Sequence, residues 1–201
     1  IVKKHAYEII SRQDVQNLLD HVKKTNSAVV KELVPDLLSL GEIQKVLSNL
    51  LREKVQIRDL TTILETLADY ARYTKDTVIL TEYVRQALGQ IVEDLLESDN
   101  KLYVLTFEPQ LEQSLKEGLP QNEQTGALSL DPLKAQQILA NLRSLMEKAI
   151  ADGHQPVLLC APVLRFYFLR MVERVLPMLV VISYNELQQD YQVESVGMIS
   201  I

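Results

Sequence analysis

Cysteine occurs only once in this chain of 201 residues, at Cys160, and tryptophan does not occur at all. A single cysteine excludes a disulfide bond within the chain and is typical of proteins that work in a reducing compartment. Glycine and proline, at six and seven residues, are too few for a low-complexity segment. Hydrophobic residues make up 47% and charged residues 24%, which indicates a globular protein that can fill a core.

Positive charge is also scarce, with 21 lysines and arginines against 27 aspartates and glutamates. The net charge of -6 argues against a nucleic-acid-binding protein, because such a protein needs a basic face. No apolar run approaches the roughly 18 residues of a membrane span, and no signal-peptide pattern is present. The chain begins with isoleucine, from which we expect a fragment or a processed product.

The residue patterns of catalytic and cofactor sites are missing as well. No G-x-G-x-x-G or GK[ST] sequence occurs, so nucleotide binding has no support. The three histidines, His5, His21 and His154, share no metal-ligand spacing. Cys160 ends a predicted strand, and His154 lies roughly 20 Å away at the other end of that strand, too far for a catalytic pair. We therefore predict no catalytic residue, no cofactor and no metal, and interpret Cys160 as a small buried thiol.

Apolar residues recur with helical spacing in the centre of the chain and form two stripes. The first comprises Ile43, Val46, Leu47, Leu50 and Leu51, and the second Leu60, Ile63, Leu64, Leu67 and Ala71. Ser39 and Glu42 have the spacing of a capping box, which predicts a helix start near Leu40. Residues 53–57 leave room only for a tight turn, so we expect the two helices to pack against each other as a hairpin.

The pattern changes from helix to strand near residue 98. Before residue 98, a long helix is predicted over 77–97. After it, strands are predicted at 102–107, 127–130, 156–160, 179–182 and 191–200, with helices opening at Pro109, Pro132 and Pro162. We therefore predict an α+β fold: an all-helical, bundle-like domain followed by a small α/β domain with a mixed sheet. The predicted divisions are 1–10, the tail of an upstream helix; 11–98, the helical subdomain; and 99–201, the α/β subdomain.

Three charged residues at the turn between the two central helices are not explained by core packing. Lys54, Arg58 and Asp59 project from a position where the backbone is fixed, which suits recognition of a partner. Asp59 also precedes a helix, where a carboxylate stabilises the N-terminus, so a local role is the favoured interpretation for that residue. For Arg58 the local and the interface interpretations weigh equally. These three residues are the candidate partner or ring interface.

Several segments, in this order along the chain, resemble the cytoplasmic C-terminal region of the FlhA family, export-gate proteins of the bacterial flagellar type III secretion apparatus. The segments are R-x-x-V-x-x-L-L-D (12–20), V-x-I-R-D-L (55–60), T-I-L-E-T-L-A-D (62–69), T-E-Y-V-R-Q-A-L-G (within 80–90), P-V-L-L-C-A-P-V-L-R (156–165) and L-P-M-L-V-V-I-S-Y-N-E-L (176–187). None of these motifs is catalytic, but their ordered combination over nearly the whole chain is specific.

The resemblance implies a non-enzymatic platform for protein export. The family's proteins have a multispanning membrane part, which places them at the bacterial inner membrane, and a cytoplasmic region that forms a ring and receives export substrates with their chaperones. This chain matches the last two cytoplasmic subdomains, so one wall of the chaperone groove lies outside it. We expect the chain by itself to be soluble and to bind chaperones and substrates weakly. Self-association into a ring, and contacts with other export-apparatus components, are expected of the intact protein.

Three alternatives stay open. The chain could belong to a homologous injectisome export-gate protein. Two helices joined by a tight turn also imitate a winged-helix-like DNA-binding regulator, although the acidic charge argues against it. A thiol enzyme using Cys160 is the third alternative, which normal function of a Cys160→Ser variant would exclude.

Overall fold

The computed structural model describes residues 10–120 and 126–201, and their contacts divide the chain into two compact units after Ile91. The predicted tail at 1–10 lies almost wholly outside the described residues, as does most of the loop 118–126. Within the described residues, the first unit holds five helices and the start of a sixth: α1 (Arg12–Lys23), α2 (Ser27–Leu33), α3 (Leu40–Arg52), α4 (Leu60–Tyr70), α5 (Thr77–Leu88) and α6 (Gln90–Leu95). The predicted boundary at residue 98 stays a prediction.

Capping by side chains determines where α1, α3 and α5 begin. Ser11 and Asp14 form a capping box at the start of α1, and Ser39 and Glu42 form the predicted one at the start of α3. In each box the serine hydroxyl accepts a hydrogen bond from the third helical N–H, and the acidic side chain accepts one from the serine N–H. Asp76 caps α5 in a simpler way, by accepting from two backbone N–H groups. The helix starts therefore follow from local sequence.

Helix α5 organises the packing of the first unit. Both α3 and α4 make their main contacts with α5, and α4 also packs on α2. The prediction that α3 and α4 pack against each other as a hairpin is therefore wrong. Their apolar stripes do enter one shared core, but the main helix contacts of both are with α5, which brings Leu80 and Val84 into that core.

The long helix predicted over 77–97 is interrupted. Gly89 has a φ of +61°, in the left-handed region, and its N–H bonds to the carbonyl of Arg85. A left-handed glycine at this position ends an α-helix. Helix α5 thus stops at Leu88, and the short helix α6 begins at Gln90.

In the part of the second unit that the structure describes, the core element is a four-stranded sheet. The elements of this unit are β1 (Lys101–Phe107), α7 (Pro109–Glu117), α8 (Pro132–Ala151), β2 (Val157–Cys160), α9 (Pro162–Val172), β3 (Val180–Ser183) and β4 (Gln192–Ile199), with 3₁₀ turns at Ser98–Asn100 and Tyr184–Glu186. The strand order is β3-β2-β1-β4. Leucines and phenylalanines of α7, α8 and α9 join residues of the sheet in one apolar core.

The α+β fold class is confirmed, with two corrections to the sheet. All three strand pairings among the described residues are parallel, so the sheet is not mixed. A short connection without an α-helix usually joins antiparallel neighbours. Here β3 and β4 lie at opposite edges of the sheet, and residues 184–191 cross between them. The strand predicted at 127–130 is irregular backbone, where the Ser129 N–H bonds to the carbonyl of Gly118.

Candidate interaction site at the turn between α3 and α4

The turn begins with a backbone motif that closes α3. The N–H of Val55 bonds to the carbonyl of Leu50 at 2.9 Å, and the N–H of Lys54 bonds to that of Leu51 at 3.0 Å. This pair of bonds is a Schellman motif, which needs a left-handed residue between the helix and the returning chain. Lys54 occupies that position with a φ of +64°, although glycine is the residue best suited to it. An exposed lysine is thus held in a conformation that costs roughly 1–2 kcal/mol.

A buried ion pair fixes the turn to the neighbouring helix. Glu53, the C-terminal cap of α3, accepts a hydrogen bond from Arg85 of α5 at 2.6 Å. The Arg85 and Glu53 side chains are only 2% and 8% exposed. Because both charges have lost most of their water, the attraction between them offsets the cost of burying them. The Gln56 N–H also donates to Oε1 of Gln90, at 3.0 Å, so the turn is held at two points.

Asp59 ends the turn and caps α4. Its carboxylate accepts a bond from the Thr62 N–H at 3.1 Å and another from the Thr62 hydroxyl at 2.7 Å. These two bonds, the hydroxyl bond first, lower the pKa of Asp59 below its usual value. The local role expected for this carboxylate is therefore present in the structure.

The two cations of the turn point into solvent. Lys54 and Arg58 are both exposed, and neither has an ion-pair or hydrogen-bond partner for its side chain among the described residues. Arginine can hold a carboxylate through two parallel hydrogen bonds, and lysine adds a second point charge. A rigid turn that carries both side chains is chemically suited to an acidic surface of a partner.

The structure thus places Lys54, Arg58 and Asp59 together on one turn, as predicted, while their role as an interface stays a prediction. Sequence reasoning missed the supports of this turn. The Glu53–Arg85 pair joins residues 32 positions apart and has no local signal. The left-handed backbone of Lys54 did have a local signal in the sequence. An apolar residue directly after a helix end, here Val55, is typical of the Schellman motif.

The thiol and imidazole considered as a catalytic pair lie in different surroundings. Cys160 is fully buried, and its Sγ is 3.7 Å from the carbonyl oxygen of Ile182. His154 is paired through Nδ1 with Glu97 at 2.9 Å and stacks on the ring of Tyr103. Within the described residues, no cluster of three or more His, Cys, Asp and Glu side chains could hold a metal ion. Among the helices of the described residues, none combines the length and the hydropathy of a membrane span.

Known proteins resemble this chain both in sequence and in fold. Flagellar biosynthesis protein FlhA of Bacillus subtilis is 41% identical over the whole chain, and that of Borreliella burgdorferi is 38% identical over 96% of it. The chain spans only 30% and 28% of the lengths of these two relatives. A nonameric structure of EPEC SctV-C matches 98% of this chain with a TM-score of 0.88 and 32% identity, over 60% of that chain.

A second solved structure, the complex of CdsV and CdsO from Chlamydia pneumoniae, matches 99% of this chain with a TM-score of 0.90 and 30% identity, over 58% of the matched chain. The resemblance to FlhA proteins read from the sequence is thereby confirmed. The FHIPEP family model matches residues 1–192, and the chain therefore belongs to the FHIPEP family.

Proposed function

We propose that this chain is a non-enzymatic part of the bacterial flagellar protein export apparatus, where it works as a docking platform and a ring-forming region at the cytoplasmic face of the inner membrane. The observation that carries the proposal is the match to flagellar FlhA proteins, 41% identical over the full chain in one case. The nonameric EPEC SctV-C, of similar fold, supports self-association. The complex of CdsV with CdsO supports contacts with other components of the apparatus.

A flagellar protein is favoured over an injectisome homologue by the curated relatives. The FlhA proteins of eight bacteria match between 94% and 100% of the chain at 32–41% identity. Export substrates and their chaperones are the proposed partners. Because the chain spans about 30% of the length of its relatives, we expect it to capture flagellar chaperones weakly by itself and strongly in the full-length protein. Pull-down of chaperones by both forms tests this, and equal capture would contradict the incomplete groove.

Arg58 is the residue whose change tests the proposed interface. Reversing its charge with Arg58→Glu in the full-length protein should reduce flagellar export and ring assembly by about tenfold or more, because a like-charge contact replaces an attractive one. The matched control is Lys24→Glu, which reverses an exposed cation at the end of α1. Motility and export are measured in cells, and thermal unfolding of the purified chain checks that the fold is intact. Unchanged motility together with unchanged assembly would refute the role of Arg58.

A further inference from the structure

A surface cavity lies at the C-terminal end of α4, and the proposed function gives it no role. Its volume is about 450 Å³, and the described residues that line it are Asp69, Tyr70, Arg72 and Tyr73. The ring of Tyr70 stacks on that of Tyr83, with 3.8 Å between centroids and 8° between planes. Tyr73 is 85% exposed, an unusual position for so large an aromatic side chain. The cavity is thus a concave site with aromatic walls.

The charges of this cavity favour a cationic ligand group. Arg72 is already paired with Glu32, so its charge is compensated within the chain. Asp69 is exposed and has no partner among the described residues. A tyrosine face attracts a guanidinium or ammonium group, and a carboxylate beside it adds an ion pair. The end of α4 contributes further negative potential, since helix C-termini carry partial negative charge.

The cavity and the cationic turn lie at opposite ends of the same helix. Asp69 lies eleven positions after Arg58, and the eleven residues of α4 span about 16 Å at 1.5 Å per residue. The two groups therefore do not meet within one chain. A closed ring of identical subunits is built from heterologous contacts, in which two different patches of each subunit meet. Each copy of this chain carries one cationic patch and one patch able to receive a cation.

From this complementarity, we propose that Lys54 and Arg58 of one copy dock into the cavity of Asp69, Tyr70 and Tyr73 on the next copy, so that α4 helices follow one another around the ring. The inference rests on the proposed self-association and names the two surfaces that make it. The occupant of the cavity is a second copy of this chain, whose exposed arginine is the anchor.

Charge reversal at both ends of α4 tests the pairing. Arg58→Glu and Asp69→Arg should each weaken self-association of the full-length protein by about tenfold or more, and the double variant should return to within about threefold of the unmodified protein. Tyr73→Ala should weaken it about two- to fivefold through the lost cation–π contact. Asp20→Arg, which changes an exposed carboxylate of α1, is the matched control and should assemble normally. Sedimentation velocity measures assembly, and thermal unfolding confirms that each variant is folded.

Each result discriminates between this pairing and the broader proposal. Recovery in the double variant supports the pairing, because two independent defects would add instead. If Asp69→Arg assembles normally while Arg58→Glu does not, the cavity is not the acceptor, although the role of Arg58 in the ring stands. If the double variant stays as weak as the two single variants combined, the pairing is also wrong. Absence of self-association in the unmodified protein would overturn both the pairing and the ring.

Discussion

At the scale of single residues, Lys54 is the point where local stability and proposed function conflict. A Schellman motif is satisfied best by glycine, yet the chain places a lysine there and exposes its charge. Backbone strain at an exposed position gives a physical reason to look for a use of that side chain. The Lys54 ammonium group has a use in the proposed interface, since together with Arg58 it gives the turn two positive charges.

Replacing Lys54 by glycine should therefore stabilise the chain. The left-handed backbone is relieved in the folded state, while the more flexible unfolded chain takes back part of the gain, so we expect about 0.5–1 kcal/mol. Urea unfolding followed by circular dichroism measures the change. Lys24→Gly is the matched control, because Lys24 has a φ of -69° at the end of α1 and glycine should not stabilise there. A Lys54→Gly variant no more stable than the original chain would contradict the strain argument.

At the scale of elements, the buried pair of Glu53 and Arg85 connects α3 to α5 and sets the position of the turn. Arg85→Met should destabilise the helical unit by about 3–5 kcal/mol, because it removes the positive charge that compensates the buried Glu53 carboxylate. Urea unfolding gives the free energy. Glu53→Gln combined with Arg85→Met removes both charges and should cost clearly less than the single Arg85→Met change. A double variant that is no more stable than Arg85→Met would show that the pair is not the cause.

Elements were predictable from the sequence wherever a local pattern determines them. The capping box of Ser39 and Glu42, and the strand before Pro162, both follow from neighbouring residues. The parallel direction of β4 does not follow from neighbouring residues, because its pairing with β1 joins residues about 90 positions apart. The packing of α3 and α4 on α5 was missed for the same reason. At the site, the three charged residues were found, but the ion pair that holds their turn was not.

At the scale of the whole molecule, three helix-capping carboxylates relate the stability of the helical unit to pH. Hydrogen bonds from a nearby serine or threonine lower the pKa values of Asp14, Glu42 and Asp59 below their ordinary values of 3.8, 4.5 and 3.8. For Asp14 the main cause is the Ser11 hydroxyl, for Glu42 the Ser39 N–H, and for Asp59 the Thr62 hydroxyl. In each case the ionised form is the one that the fold stabilises.

The sign of the pH dependence follows from these lowered pKa values. The stabilisation is fully present above the unfolded-state values near pH 4, and is lost as the pH falls through the lower folded-state values. The urea midpoint of the helical unit should therefore stay level above about pH 5 and decline below about pH 4. Ser11→Ala and Ser39→Ala keep the carboxylates but remove two hydroxyl donors, so this decline should become shallower. An equally steep decline in the double alanine variant would mean that other groups cause the acid sensitivity.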